Sequence, residues 1–148
     1  MNGDDPVDGK MLKIAVFDPD AADCAATARA VREYFEKEQI SSEVLMFYAY
    51  ARRVGDWGGI DENLDRDLIF IGANSAAYDM VFVGVDSLRS ANIGGTIKEA
   101  APDCPLFFVS HTIDYGVEAV RIRALDYMIK PVTPEGVGNA VRRIRENN

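Results

Sequence analysis

The chain has 148 residues, is 48% hydrophobic and carries a formal net charge of −8. That length suits a single core, and that hydrophobic share is too high for a globally disordered chain. The acidic balance speaks against a nucleic-acid-binding surface, and no apolar run reaches membrane-spanning length.

Residues 1–10 are polar, with three aspartates, two glycines and a proline. They have nothing to bury and read as a flexible N-terminal tail ahead of one domain, residues 11–148. Residues 12–17, Leu-Lys-Ile-Ala-Val-Phe, form the first predicted strand. Asp18-Pro19-Asp20 ends it, because a proline cannot donate to a ladder, and Asp20 then suits a helix N-cap. Over residues 21–38, Cys24, Ala28, Val31 and Phe35 fall on one helical stripe. Residues 43–48 are the second strand. Residues 49–61 form a long connection loosened by Gly55, Gly58 and Gly59, with Trp57 among them as a candidate for partner contact or for docking back onto the fold. Asp61 caps a second helix with the stripe Leu64, Leu68 and Ile71.

The run Tyr78-Asp79-Met80-Val81-Phe82-Val83-Gly84 is the most strand-like of the chain, apolar from Met80 and closed by a glycine. Such a run suits the middle of a parallel sheet covered on both faces. Residues 85–92 read as loop, and Ile93, Ile97 and Ala100 mark a third helix. Pro102 and Pro105 bracket a turn. Residues 106–109 are the fourth strand, ending at Ser110-His111. Residues 113–123 are a fourth helix with Val117, Val120 and Ala124 turned inward. Residues 125–129 are the fifth strand, closed by Lys130-Pro131. Thr133 caps a fifth helix carrying Val137, Val141 and Ile144 on one side and Arg142, Arg143 and Arg145 near its C-terminal end.

Five strands alternating with five helices predict right-handed crossovers and a parallel α/β sheet. The carboxyl ends of the strands then bring Asp18, Gly84, Ser110 and Lys130 to one edge, where chemistry gathers in open α/β sheets. Cys24 and Cys104 lack metal-ligand spacing and read as reduced thiols of a cytoplasmic protein.

The stretch Ala124-Leu125-Asp126-Tyr127-Met128-Ile129-Lys130-Pro131 resembles the last strand of response-regulator receiver domains. Phe107-Phe108-Val109-Ser110-His111 resembles their fourth strand, Tyr78 to Val83 the strand that carries the phosphorylated aspartate, and Ile14-Ala15-Val16-Phe17-Asp18 the strand that leads into their acidic pair. The Ala-Leu-Asp-Tyr and Tyr-Asp-Met-Val-Phe runs are most similar to receivers of LytTR-type regulators. The resemblance implies a doubly wound, flavodoxin-like (CheY-like) fold with five parallel strands in the order 2-1-3-4-5 and helices on both faces. It also implies phosphoryl transfer from a histidine kinase onto an aspartate, assisted by Mg²⁺, with a hydroxyl and a lysine on the phosphoryl oxygens and a rotating aromatic on the fifth strand.

Carried over residue by residue, Lys130 matches the lysine, Ser110 the hydroxyl, Tyr127 the switch aromatic and Asp18 the first acidic residue. The second acidic residue is Pro19 here, and Gly84 stands at the phosphoacceptor position. Asp18, with Asp20 as an uncertain substitute for the missing acid, makes a poor Mg²⁺ site, so no cofactor is expected. Lys130 is expected to pair with Asp18, Ser110 to satisfy backbone, Tyr127 to pack with its hydroxyl at the surface, and His111, the only histidine, to be a loop residue. The expected function is that of a non-enzymatic pseudo-receiver. It would act as a phosphorylation-independent interaction module of a two-component signalling or transcription regulator, through a protein partner or homodimer on the face of the fourth helix, fifth strand and fifth helix. The alternative is a working phosphoacceptor that uses Asp86 or Asp18 with Mg²⁺. A small-ligand flavodoxin-like domain is more remote, since no glycine-rich phosphate loop follows the first strand.

Overall fold

A computed structural model describes residues 10–48 and 78–146. Five strands form one sheet: β1 (Leu12–Asp18), β2 (Ser42–Tyr48), β3 (Met80–Gly84), β4 (Leu106–Ser110) and β5 (Asp126–Ile129). All pairs are parallel and the order is β2-β1-β3-β4-β5, the order expected from the resemblance. Four described helices flank it: α1 (Ala21–Lys37), α2 (Leu88–Ala100), α3 (Gly116–Arg121) and α4 (Pro134–Glu146). The glycine-rich connection with Trp57, the helix assigned to Leu64, Leu68 and Ile71, and the tail up to residue 9 lie outside the described residues.

Alternation along the strands divides the core in two. Ile14, Val16, Phe82, Phe107 and Val109 face α1 and α4, where Cys24, Ala28, Val31, Phe35, Val137 and Val141 meet them. Ala15, Phe17, Val81, Val83 and Phe108 face α2 and α3, where Ile93, Ile97 and Ala119 meet them. β3 and β4 are buried along their whole length, which is why neither shows a polar alternation in sequence. Cys24 and Cys104 are free and buried, and burial pushes their thiols up to about 12 and about 11. Such thiols are inert.

Two helices depart from the sequence reading. α2 starts at Leu88, not near Ile93, because Ser87 and Ser90 form a reciprocal capping box. The Ser90 N–H donates to Ser87 Oγ at 3.2 Å and the Ser87 N–H to Ser90 Oγ at 3.1 Å. A serine takes the place of the usual Glu or Gln in that motif, which hides it from pattern reading. α3 is shorter than expected and turned the other way. Val117 and Val120 are 65% and 79% exposed, while Ala119 is buried and Ile122 half-buried. The close approach of α2 explains the choice. A Cβ at Gly94 would stand 2.9 Å from both Ile122 Cδ1 and Phe108 Cε1, so Ile122 fills the space beside the glycine and fixes the helix rotation. The turn ends at Arg123 with φ of 64°, in the left-handed region that stops the helix.

The new α3 register has a direct consequence for stability. Val120→Ser should change the unfolding free energy by no more than about 0.5 kcal/mol, as at ordinary surface positions. Ala119→Leu should cost about 1–3 kcal/mol by overpacking. Urea denaturation of the two variants checks both, and a larger loss in Val120→Ser would restore the original register.

Candidate functional site

The carboxyl edge of the sheet is built from β1, β3, β4 and the residue after β5. Asp18 ends β1, Gly84 ends β3, Ser110 ends β4 and Lys130 follows β5. α1 begins just beyond β1 because Asp20 caps it, its Oδ1 accepting the Asp23 N–H at 2.9 Å. That cap turns the first helical residues back over the strand ends, and Asp23 enters the site by this route.

Lys130 is the centre of the cluster. Its Nζ lies 2.8 Å from Asp18 Oδ2 and 2.8 Å from Asp23 Oδ2, with only 6% of the side chain exposed. Asp18 is 2% exposed and its other oxygen accepts the Asp20 N–H at 2.9 Å. His111 Nε2 approaches the same Asp23 oxygen at 2.9 Å. The expected Lys130–Asp18 pair is present, and Asp23 and His111 extend it.

The electrostatics follow from burial and sharing. Burial pushes the Asp18 carboxyl above its ordinary range, against the pull of the Lys130 and Asp20 hydrogen bonds. The Lys130 hydrogen bond holds Asp23, the more exposed carboxylate, below that range despite some burial. Burial alone would lower Lys130, but hydrogen bonds to Asp18 and Asp23 outweigh it and hold the ammonium above its ordinary value. One cation serves two carboxylates, and the buried one is the less readily ionised.

Gly84 is the position where a side chain would have to share this space. A Cβ there would overlap the Asp18 carboxylate and lie 2.9 Å from Asp18 Cβ. The carboxylate of β1 therefore fills the volume that a residue-84 side chain would need.

The remaining candidates fall around the cluster. Ser110 is buried and its Oγ accepts the Thr112 N–H at 3.3 Å, the backbone role expected of it. Tyr127 packs its ring 6.0 Å from Phe108, and its hydroxyl donates to Thr112 O at 2.7 Å while accepting the Tyr115 N–H at 3.3 Å. Asp86 lies past the end of β3, and its Oδ1 accepts from Ser90 Oγ at 3.0 Å, so it belongs to the head of α2. The condition on which Asp86 would point with residue 84, continuation of the strand, is not met.

The donor set does not fit a divalent cation. Asp18 and Asp23 both direct oxygens at an ammonium, and Asp20 spends Oδ1 on its cap. Mg²⁺ would need several free oxygens in octahedral array, and Lys130 stands where they converge. Asp23 is the residue the sequence reading missed. Its signal is present: an acid three residues after a capping Asp, at the head of a helix that begins at the sheet's carboxyl edge.

The shared lysine predicts an asymmetry between variants. At pH 7, Lys130→Met should cost about 3–5 kcal/mol, because Asp18 is left buried without a cation. Asp18→Ala should cost clearly less, because Lys130 keeps Asp23. Equal losses in chemical denaturation would contradict the sharing. The pH profile has a defined sign. Asp23 is depressed, so its contribution is present above the ordinary carboxylate value and lost as pH falls below about 4. Lys130 is raised, so its contribution holds below the ordinary lysine value and is lost as pH rises above about 10. Asp18, raised, takes its proton earlier in the native state and softens the acid limb.

No protein-family model matches the sequence, and no curated protein matches it. Solved structures do. The chain is similar to a response regulator receiver domain protein from Clostridium thermocellum, at 20% identity and a TM-score of 0.61, over 92% of this chain and 96% of that one. It is similar to the REC domain of AraT, a response regulator from Geobacillus stearothermophilus, at 18% identity and a TM-score of 0.62, over 92% and 94%. It is also similar to response regulator DrrB, a Thermotoga maritima OmpR/PhoB homolog, at 20% identity and a TM-score of 0.58, over 93% of this chain but 54% of that one. This chain has the five-stranded, CheY-like fold of response regulator receiver domains.

Proposed function

We propose that this chain is a receiver-type module of a two-component signalling or transcription regulator that works without accepting a phosphoryl group. The reading rests on one observation: the Asp18 carboxylate occupies the place of a residue-84 side chain and holds Lys130 there. An aspartyl phosphate needs a nucleophile, a cation for its oxygens and room for three of them. Here the nucleophile's position is Gly84, and the lysine is already engaged on both sides. The likeness to LytTR-type receivers belongs to this proposal, as does a cytoplasmic location; among the described residues no helix is long and apolar enough to cross a membrane.

The module acts through its surface, and the surface that stands out is formed by α3, β5 and α4. Ile113, Val117, Val120 and Ile129 are 76%, 65%, 79% and 47% exposed; Ile113, Val120 and Ile129 line a groove between α3 and β5, and Val117 joins Ile113 and Val120 in a second along α3. Charge favours a second copy of the chain as the occupant. Residues 113–146 carry six Lys and Arg against five Asp and Glu, so the rest of the chain carries ten against nineteen. Two acidic molecules repel across most of their surfaces and least across this face, where apolar area also rewards contact.

The test is incubation of the protein with Mg²⁺ and acetyl phosphate, followed by intact mass. An unchanged mass is expected, and a stoichiometric phosphoryl adduct would overturn the reading. Sedimentation velocity of the same protein should show a concentration-dependent dimer that Val120→Asp abolishes. A strict monomer at high concentration would remove the self-association part.

A further inference from the structure

The edge of the sheet opposite the ion cluster carries an opening of its own. α2 leads from the carboxyl end of β3 to the start of β4, and α3 from the carboxyl end of β4 to the start of β5, so both helices end at the amino edge. Between those ends lies a cleft of about 420 Å³, with Gly95, Lys98 and Glu99 on the α2 side and Arg121, Ile122 and Arg123 on the α3 side. Three cations and one carboxylate thus line one opening of a chain whose formal net charge is −8.

Helix dipoles account for two of these cations. Lys98 and Arg121 stand in the last turns of α2 and α3, where a positive charge is favoured. Arg123 lies beyond the end of α3, at φ of 64°. That left-handed conformation suits glycine or asparagine, not arginine. Residues two apart on a continuing helix do not face one another, so the break after α3 is what lets Arg121 and Arg123 line the same cleft. None of the three cations forms an ion pair among the described residues. Lys98 Nζ donates to Cys104 O at 3.1 Å, which anchors the ammonium and leaves it two further N–H donors. Gly95 and Ile122 meet between the two sides. A Cβ at Gly95 would lie 3.7 Å from Ile122 Cγ2, an ordinary contact, so packing does not demand the glycine. Its effect is to deepen the cleft.

We propose that this cleft binds a small organic phosphomonoester. Guanidinium groups recognise phosphoryl oxygens bidentately, and the lysine adds a point charge. Three cations against one carboxylate leave the lining with an excess of two positive charges. A phosphomonoester carries about −1.5 to −2 at neutral pH, which balances it. A cleft of this size holds a small organic molecule and is too large for phosphate alone. Glu99 can only accept hydrogen bonds when ionised, so the organic part carries hydroxyl or amino donors. The site is separate from the ion cluster, and its occupation does not depend on the proposed role of the apolar face.

The experiment is an NMR titration of the full chain at neutral pH and constant ionic strength, following backbone amides. The probes are ribose 5-phosphate and AMP, with ribose and inorganic phosphate as controls. At least one probe should give saturable shifts centred on residues 95–99 and 121–123, about tenfold tighter than inorganic phosphate, and ribose should give none. Arg123→Gly relieves the left-handed arginine, so it should leave the urea midpoint unchanged or raised. The same substitution should weaken the better probe about tenfold, the worth of one charge-assisted hydrogen bond. Gly95→Leu keeps every charge, fills the cleft and should abolish binding. No saturable shift with either probe at millimolar concentration would overturn the proposal. So would inorganic phosphate binding as tightly as the probes, which would mean an adventitious ion only, or full affinity in Arg123→Gly. Binding that survives Gly95→Leu would mean diffuse surface attraction and would overturn it too; if that variant does not fold, Arg123→Gly decides.

Discussion

The ammonium of Lys130, nearly buried between Asp18 and Asp23, is the constraint on which the carboxyl edge of the sheet depends. Burying one cation with one anion returns little, because desolvation takes back most of what attraction supplies. A second carboxylate changes the balance. It lets the lysine stay charged, fixes the head of α1 over the strand ends, and leaves an oxygen through which the surface reaches the interior. The end of β5 is thereby locked to the end of β1 and the head of α1, with Lys130 107 residues from Asp23, at the point where a doubly wound sheet leaves its crevice.

Gly84 makes sense only together with that lock. A glycine at the end of a central strand costs backbone entropy and packs nothing. Here its lack of a Cβ is what allows the Asp18 carboxylate to lie against β3. The two positions form one arrangement: without a side chain at 84 the carboxylate of β1 fills the volume that such a side chain would need. An aspartate placed at 84 would bring a third carboxylate to one ammonium in a site with no room for it.

The architecture was legible in the sequence because it follows from periodicity. The unbroken apolar runs of β3 and β4 mark strands covered on both faces, and the stripes at Cys24, Ala28, Val31 and Phe35 and at Val137 and Val141 are buried as spaced. Capping by Asp20 and Thr133 is also present, each side chain accepting a helical N–H. What failed was local and has local causes. The Ser87–Ser90 box lies outside the usual motif, so α2 seemed to start late. In α3 two valines outweighed an alanine by size, although the short helix turns Ala119 and Ile122 inward against the glycine of its neighbour. Hydrophobic pattern cannot decide the rotation of a helix of six residues, because so short a stripe has no redundancy.

The site was half legible for a different reason. Lys130, Ser110 and Tyr127 stand on strand ends, whose positions follow from topology alone. Asp23 and His111 become partners only because α1 starts at a particular turn and the loop after β4 bends over it, a three-dimensional coincidence between residues 88 apart. Loop 111–115 leads from the His111–Asp23 contact to α3, whose rotation is fixed by Ile122 beside Gly94. With α3 turned so that Val117 and Val120 face outward, the apolar surface and the ion cluster lie at two ends of one tethered loop, with Tyr127 bonded to its middle. On the proposed function, an input acts on the charges of a cluster in which one lysine is held by two carboxylates, rather than by adding a group to it.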